Sequence, residues 1–171
     1  ARGRKLATPK DDLLRPTLAR VREAILSMCV ARVRPKYALD LYAGVGALGI
    51  ELLSAGALHA TFVEQEKEHI ELIRKNLETT GFSDKADVIQ KTLPEQWPHL
   101  RAQYNTVFID PPYHVGLAHE TLQAASEWIQ LEKERIVVVQ TEKGLELDEQ
   151  YRELQLLQRK HYGKTTVHLY S

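Results

Sequence analysis

The run Asp110-Pro111-Pro112-Tyr113 combines an acid, two prolines and an aromatic ring, residue types that together could hold an amine. Two successive prolines fix two φ angles and remove two N–H donors, so this loop offers only oxygen acceptors beside the Asp110 carboxylate. An exocyclic amine suits such a site, because its two N–H groups can bond to the carboxylate and to the Pro111 carbonyl. Tyr113 adds a flat face on which a base can stack. The run therefore predicts a clamp for methylating a base amine; the plainer alternative is a proline-rich turn that only ends a strand.

A second motif lies upstream, where a short apolar run ends in Asp40 and is followed by glycines at positions 44, 46 and 49. A strand, a glycine turn and a helix N-terminus present backbone N–H groups and a positive dipole end to a nucleotide-like ligand. Glu64 lies 18 residues beyond Gly46, close to where such a site needs an acid for the ribose hydroxyls. Methyltransferases, dinucleotide enzymes and some ligand-free doubly wound domains share this loop. An NAD-binding enzyme explains the loop and Glu64 equally well, but it does not explain the Asp-Pro-Pro-Tyr run.

The elements that must position these residues alternate regularly between strand and helix, which favours a mostly parallel sheet in a Rossmann-like α/β domain. Because ligands of open parallel sheets bind at the carboxyl ends of the strands, Asp40, Glu64 and Asp110 are expected at one edge. The last two strands are separated by two residues only, too few for a crossover, and must form an antiparallel hairpin. We thus expect seven strands, at 37–42, 59–64, 86–91, 104–109, 135–140, 154–162 and 165–170, with helices at 45–55, around 70–80 and at 115–129.

The amino-terminal stretch is basic. Residues 1–36 carry ten Lys or Arg and three acids, whereas the other 135 residues carry 13 basic and 20 acidic side chains. Residues 1–14 are expected to be an extended arm, and a helix is expected to open at Arg15-Pro16-Thr17 and to end before Pro35. Its apolar face comprises Leu18, Val21, Ile25, Met28 and Cys29. The charge division is typical of an arm that binds nucleic acid, although a solvated basic tail is an equally good interpretation.

The composition limits the number of domains and the kinds of cofactor and cellular setting to expect. A chain of 171 residues fits one domain, with 1–36 as an extension of the domain formed by 37–171. The lone cysteine, Cys29, has no partner for an internal disulfide, and no apolar run is long enough to cross a bilayer. The seven histidines lack metal-ligand spacing. We therefore expect a soluble cytoplasmic protein with no membrane partner and no metal.

The sequence resembles the RsmD family of bacterial 16S rRNA guanine-N2 methyltransferases, which are class I enzymes dependent on S-adenosylmethionine. The Arg-Pro-Thr run followed by Val21-Arg22-Glu23 is the most specific part of the match. The resemblance implies methyl transfer to the N2 amine of one guanine in small-subunit rRNA, on an assembled or assembling subunit. It extends over Gly3–Leu6, Leu14–Thr17, Val21–Glu23, Leu39–Gly49, Val63-Glu64, Phe108–Tyr113 and the closing hairpin.

The resemblance also implies roles for residues at matching positions. Asp110, Pro111, Pro112 and Tyr113 are similar to the clamp for the target amine. The cofactor would lie against Asp40, Ala43, Gly44, Gly46, Gly49, Glu64, Gln65, Thr92 and Leu93, with Glu64 on the ribose. Many relatives have Asp or Asn beside the adenine, whereas this chain has Lys91-Thr92, which leaves adenine contact by Thr92 or by backbone open. RNA contacts are expected from Arg4, Lys5, Arg15, Thr17, Arg20 and His114.

Two rival functions follow from the same residues. An adenine-N6 methyltransferase acting on DNA would use the same amine clamp. A non-catalytic RNA-binding or ribosome assembly factor could keep the fold without the chemistry, although the intact glycine, ribose and clamp positions disfavour it.

Overall fold

The structure of the protein is a computed structural model that describes residues 5–7, 15–100, 102–114 and 116–171, with the backbone alone for 15–18. The helices are α1 (Arg15–Arg32), α2 (Ala47–Ser54), α3 (Lys67–Thr80) and α4 (Leu117–Trp128). The strands are β1 (Tyr37–Leu41), β2 (His59–Glu64), β3 (Ala86–Gln90), β4 (Tyr104–Ile109), β5 (Leu131–Glu142), β6 (Gln150–Tyr151), β7 (Leu154–Tyr162) and β8 (Thr165–Tyr170).

The strands form one sheet in the order β3-β2-β1-β4-β5-β8-β7-β6. The neighbours from β3 to β5 pair in parallel, and β8, β7 and β6 continue the sheet with antiparallel pairings. The chain winds outward from β1 to β3 and then returns to place β4 on the other side of β1. The order thus reverses between β1 and β4, the point where open α/β sheets bind ligands.

Helices cover the two faces of the sheet and divide its core into two clusters. Side chains from α1, α2 and α3 pack with Phe62 and Phe108 on one face. On the other face, α4 and the segment around Leu147 pack with Val107 and Ile109. Neighbouring residues of β4 therefore face opposite clusters, as the pleat of a strand requires. In the part of the chain that the structure describes, no helix has both the length and the apolar character needed to cross a bilayer.

Helix α1 packs on the sheet by the predicted apolar face. Val21, Ile25 and Cys29 are buried, Met28 is half-buried, and the side chain of Leu18 lies outside the described residues. Burial raises the pKa of the Cys29 thiol to about 12. The helix ends at Arg32, before Pro35, as expected from the missing N–H of proline.

The predicted alternation and the closing hairpin are confirmed, while several element bounds differ from the prediction. Helix α2 begins at Ala47 rather than 45, because Gly44 and Gly46 have φ of +59° and +80° and keep the chain in a turn. Strand β5 begins at Leu131 rather than 135, since Leu131 pairs with Tyr104 across an irregular register. The short β6 pairs with β7 and gives the sheet eight strands among the described residues instead of seven.

Candidate active site

The carboxyl ends of β1, β2 and β4 bring three acids to one edge and one face of the sheet. In the strand register, Asp40 lies between Phe62 of β2 and Phe108 of β4. Side chains alternate along a strand, so Glu64, two residues after Phe62, faces the same side as Asp40. Asp110, two residues after Phe108, continues that side beyond the end of β4. The predicted clamp acid and the two predicted cofactor acids are therefore neighbours.

Asp40 connects strand β1 to the beginning of helix α2. Its Oδ2 accepts a hydrogen bond of 3.1 Å from the N–H of Gly49, and the residue is only 3% exposed. Burial raises the pKa of the Asp40 carboxyl to about 8; the Gly49 bond opposes this shift, and the nearby Asp110 and Glu64 add to it. Asp40 thus lies beneath the glycine loop and holds its two flanking elements together.

The glycine loop is open on its outer side and tight on its inner side. A Cβ added at Gly44 would meet no atom of the described residues within 4 Å, so this position faces open space. A Cβ added at Gly49 would lie 2.3 Å from Cε1 of Phe62, which no real contact allows. At the start of the loop, Ala43 donates its N–H to the carbonyl of Val63 at 3.0 Å. Strand β2 therefore supports the loop from below and leaves its outer surface accessible.

Glu64 organises the backbone around the same opening. Its Oε1 accepts the N–H of Gly44 at 3.0 Å, and its Oε2 accepts the N–H of Glu66 at 2.7 Å. His69 Nδ1 lies 3.7 Å from Oε2. A carboxylate has about four acceptor positions, so Glu64 retains capacity for hydroxyl donors after these two backbone bonds.

The residues predicted to lie near an adenine follow β2 and β3. The Lys91 N–H donates to the Glu64 carbonyl at 3.1 Å, which places the chain after β3 beside Glu64. Thr92 is exposed there, whereas the Leu93 side chain is 6% exposed and packs in the core on the opposite face. Gln65 is exposed. Thr92 and Gln65 are therefore accessible beside Glu64, and Leu93 offers its backbone only.

The loop after β4 begins with two prolines, which have carbonyl acceptors but no N–H donors. Within the described ranges, neither the Asp110 carboxylate nor the Pro111 carbonyl has a hydrogen-bond partner. Although Asp110 is partly exposed, desolvation by the surrounding protein raises the pKa of its carboxyl to about 7. The loop is closed by a 2.8 Å bond from the His114 N–H to the Pro112 carbonyl. Tyr113 is 59% exposed, a large share for an aromatic side chain, and its ring face is available to a planar ligand.

A shallow pocket lies between this loop and the end of β5. It is a small depression that opens to solvent. One side is formed by Pro111, Pro112, Tyr113 and His114, and the other side by the end of β5. Ala118 and Leu145 contribute apolar surface. The β5 residues in its wall are Gln140, Thr141 and Glu142. The pocket is thus apolar in part, with polar groups converging at the clamp.

The structure also reveals a connection that the sequence pattern missed. The buried side chain of Asn76 on α3 accepts the Ala7 N–H at 2.6 Å and donates to the Ala7 carbonyl at 3.1 Å. The same amide donates to the Val45 carbonyl, in the glycine loop, at 3.0 Å. An asparagine on the buried face of a helix was the available signal, because a buried amide requires partners. Asn76 therefore ties the basic arm to the glycine loop.

Of the residues predicted to contact RNA, some are exposed and others lie outside the described part of the chain. Lys5, Arg20 and His114 are exposed. Arg4 lies outside the described residues, and so do the side chains of Arg15 and Thr17. The Asn76 bonds bring Lys5 close to the glycine loop, two residues along the chain from the anchored Ala7. His114 lies in the wall of the pocket.

Comparison with known proteins places the chain among methyltransferases. The family model "Conserved hypothetical protein 95" matches residues 1–171. "Ribosomal RNA small subunit methyltransferase D" of Haemophilus influenzae is 35% identical over 149 residues, which are 83% of this chain and 75% of that protein. "Putative rRNA methyltransferase YlbH" of Bacillus subtilis is 32% identical over 99% of this chain and 94% of its own length. The solved structure of "Putative methyltransferase yhhF" from Escherichia coli has a TM-score of 0.84 at 33% identity, covering 98% of this chain and 91% of that one. The chain therefore belongs to the Conserved hypothetical protein 95 family, together with ribosomal RNA small subunit methyltransferase D, and the family resemblance of its sequence motifs is confirmed.

Proposed function

We propose that this protein transfers a methyl group from S-adenosylmethionine to the exocyclic N2 amine of a guanine in 16S rRNA. The observation that carries the proposal is a pair of acceptors, the Asp110 carboxylate and the Pro111 carbonyl, that have no partner among the residues described and lie beside the open glycine loop. The relatives named as rRNA small subunit methyltransferases support RNA as the substrate. The proposed partner is the small ribosomal subunit, assembled or in assembly, in the cytoplasm.

The residues around the glycine loop fit an adenosine-containing cofactor. The open space at Gly44 admits a ligand against the backbone, and Glu64 retains acceptor capacity for two ribose hydroxyls. Thr92 and Gln65 are exposed beside Glu64, where the base of such a ligand would lie. When bound, S-adenosylmethionine supplies an electrophilic methyl group on a positively charged sulfur. Asp40, Ala43, Gly44 and Gly46 would hold its methionine part.

The clamp residues orient the acceptor amine. Asp110 and the Pro111 carbonyl each accept one amine N–H, which turns the nitrogen lone pair away from the loop and out of conjugation with the ring. Tyr113 holds the base by stacking, after the guanine has left its own stack at a cost of a few kcal/mol. Catalysis is then mainly positioning and electrostatics. Asp110 need not remove the proton, since the amine can lose it to solvent after methyl transfer.

The decisive experiment is to map the methylated nucleoside. Small-subunit rRNA from cells that lack the protein is incubated with the enzyme and labelled S-adenosylmethionine, both as naked RNA and as isolated subunits. Nuclease digestion and mass spectrometry then identify the product, and N2-methylguanosine at one position is expected. Duplex DNA in a parallel reaction should remain unlabelled.

Other outcomes would point to the rival functions. Labelled N6-methyladenine in DNA would show that the clamp serves an adenine methyltransferase. Absence of cofactor binding in calorimetry, with RNA binding intact, would indicate a non-catalytic assembly factor. Either result would overturn the proposal.

A further inference from the structure

Gln140, at the carboxyl end of β5, is a mostly buried polar residue with no side-chain hydrogen bond to the described residues. It is 8% exposed, and its side-chain amide makes no hydrogen bond to any part of the chain that the structure describes. The amide still reaches accessible space, because the residue lines the pocket beside the clamp. The fully buried unpaired side-chain atoms of the described residues do not include those of Gln140, so its amide reaches the surface. It is therefore free to bind a ligand beside the clamp.

The sheet register places Gln140 directly beside the clamp acid. Ile109 of β4 pairs in parallel with Val139 of β5, and one further residue brings Asp110 level with Gln140. Both residues follow the strand alternation onto the same face of the sheet. Adjacent strands are about 4.8 Å apart, which is close to the separation of the two outer groups, N2 and O6, on the Watson–Crick edge of guanine. One planar ligand can therefore contact both side chains.

The two side chains match the Watson–Crick edge of guanine in order. That edge carries the N2 amine, then the N1–H donor, then the O6 acceptor. With the amine at Asp110, the Gln140 amide can accept the N1–H with Oε1 and donate to O6 with Nε2. Adenine with its amine in the clamp presents an N1 acceptor and no neighbouring carbonyl. It therefore leaves the buried glutamine oxygen unpaired.

We propose that Gln140 is a specificity-determining residue that recognises the N1–H and O6 edge of the acceptor guanine while the adjacent clamp holds its N2 amine. This inference rests on the proposed function, because it assumes that the substrate amine is N2 of guanine. Gln140 would thus add recognition of the base to a clamp that by itself accepts any exocyclic amine.

The test compares two acceptor bases in two enzymes. Once the target position is mapped, small-subunit rRNA is prepared by ligation with either guanine or 2-aminopurine at that position. The 2-aminopurine base keeps the amine but lacks O6 and has an acceptor at N1. For Gln140→Ala we expect kcat/KM on guanine RNA to fall about 10- to 100-fold, the usual value of a bidentate base contact. On 2-aminopurine RNA the change should be smaller than about threefold.

Each variant is compared with wild type on the same RNA. The difference in intrinsic reactivity between the guanine and 2-aminopurine amines therefore cancels. Gln140→Glu is a second variant that keeps the size and the acceptor but loses the donor to O6, and it should also reduce the preference for guanine. Gln103→Ala, at an exposed glutamine preceding β4, is the matched control and should leave both rates unchanged. Thermal unfolding verifies that each variant is folded.

Equal losses on the two RNAs, or no loss on either, would contradict the role of Gln140. Failure of the proposed function looks different, since the wild-type enzyme would then form no N2-methylguanosine on any RNA. A folded Gln140→Glu variant with wild-type preference for guanine would also overturn the inference, even where Gln140→Ala is unstable.

Discussion

The Asp110 carboxyl accepts the amine N–H most strongly in its ionised form, so its titration should appear in the rate. Because burial raises its pKa to about 7, the group is mainly protonated at pH 6 and mainly ionised at pH 8. We expect kcat/KM for methyl transfer to fall about tenfold per pH unit below 7 and to level off above it. Initial rates with labelled cofactor from pH 5.5 to 9 measure this profile.

The variant Asp110→Asn should lack that acidic limb. It replaces one acceptor oxygen with a donor, so we expect a rate at pH 8 at least about 100-fold below wild type and little pH dependence. Cofactor affinity should change by less than about threefold, because the cofactor residues are untouched. Asp84→Asn, at an exposed acid between α3 and β3, is the control. An unchanged acidic limb in Asp110→Asn would assign the titration to another group, such as Asp40.

A substitution of Glu64 should weaken cofactor binding, whereas a substitution of Asp110 should lower the rate and leave cofactor affinity nearly unchanged. Glu64→Gln keeps the shape but has one acceptor oxygen where the glutamate has two, for a group that already accepts the N–H of Gly44 and of Glu66. We expect the cofactor Kd to rise about 10- to 100-fold, the usual loss for hydrogen bonds to a charged group. Calorimetry with S-adenosylmethionine measures this. The exposed Glu68→Gln should bind like wild type, and an equal loss there would indicate a general charge effect.

Individual site residues were predictable from sequence where a motif of fixed spacing carries them. Glu64 ends β2 and Asp110 directly follows β4, as the apolar runs before them predict. Gln140 and Asn76 were not predictable, because their roles depend on neighbours distant in sequence. Gln140 acquires its place beside Asp110 through strand pairing, and Asn76 through contact with Ala7.

At the scale of elements, the distance between α2 and β2 depends on a missing side chain. Gly49→Ala would push a Cβ into the Phe62 ring, so we expect the free energy of unfolding to fall by about 1–3 kcal/mol. Denaturant unfolding measures the change. Combining it with Phe62→Leu should give a total loss smaller than the sum of the two single losses by at least about 0.5 kcal/mol. Simple additivity would show that this contact does not set the distance.

Helix α3 should hold both the arm and the glycine loop through Asn76. Asn76→Ala removes three hydrogen bonds, including the pair with Ala7, and leaves their backbone partners unpaired. We expect the free energy of unfolding to fall by about 1–3 kcal/mol and the Ala7 amide to exchange its hydrogen faster. Hydrogen exchange followed by mass spectrometry measures exchange in the arm and in the glycine loop. The neighbouring exposed Lys75→Ala should leave exchange at residues 5–7 unaltered.

Element boundaries were predictable where a local signal marks them. Gly81 ends α3 in the left-handed conformation, and the two-residue turn at 163–164 sets the hairpin. The early start of β5 was not predictable, since Glu132, Lys133 and Glu134 look like a loop and lie in the irregular stretch between Leu131 and Ile136, which pair with β4. The two-residue β6 is too short for any periodic pattern, and its pairing with β7 creates it.

At the scale of the whole molecule, the opposite charges of the two parts of the sequence should govern RNA binding. Lys5 and Arg20 are exposed in the basic part. Their joint replacement by alanine should weaken binding to small-subunit rRNA and reduce the slope of log K against log salt by about 1–2, as expected for two lost phosphate contacts. Fluorescence anisotropy at several salt concentrations measures the slope.

A matched pair from the acidic part is the control for this effect. Arg74→Ala with Lys160→Ala removes the same charge from exposed positions on α3 and β7. Equal effects of the two pairs would show that net charge alone, rather than the basic part, drives association. At this scale the sequence predicted the fold class and the parallel sheet, while the position of Asn76 between arm and loop required the structure.

The burial of Cys29 gives the protein an internal reporter. It is the only thiol in the chain, it lies on α1 with no exposed surface, and its high pKa keeps it unreactive at neutral pH. An alkylating reagent can therefore modify the protein only when α1 detaches from the sheet. The rate of alkylation therefore measures how often α1 detaches, without any added label. Slower alkylation in the presence of RNA would show that bound RNA stabilises the packing of α1 on the sheet.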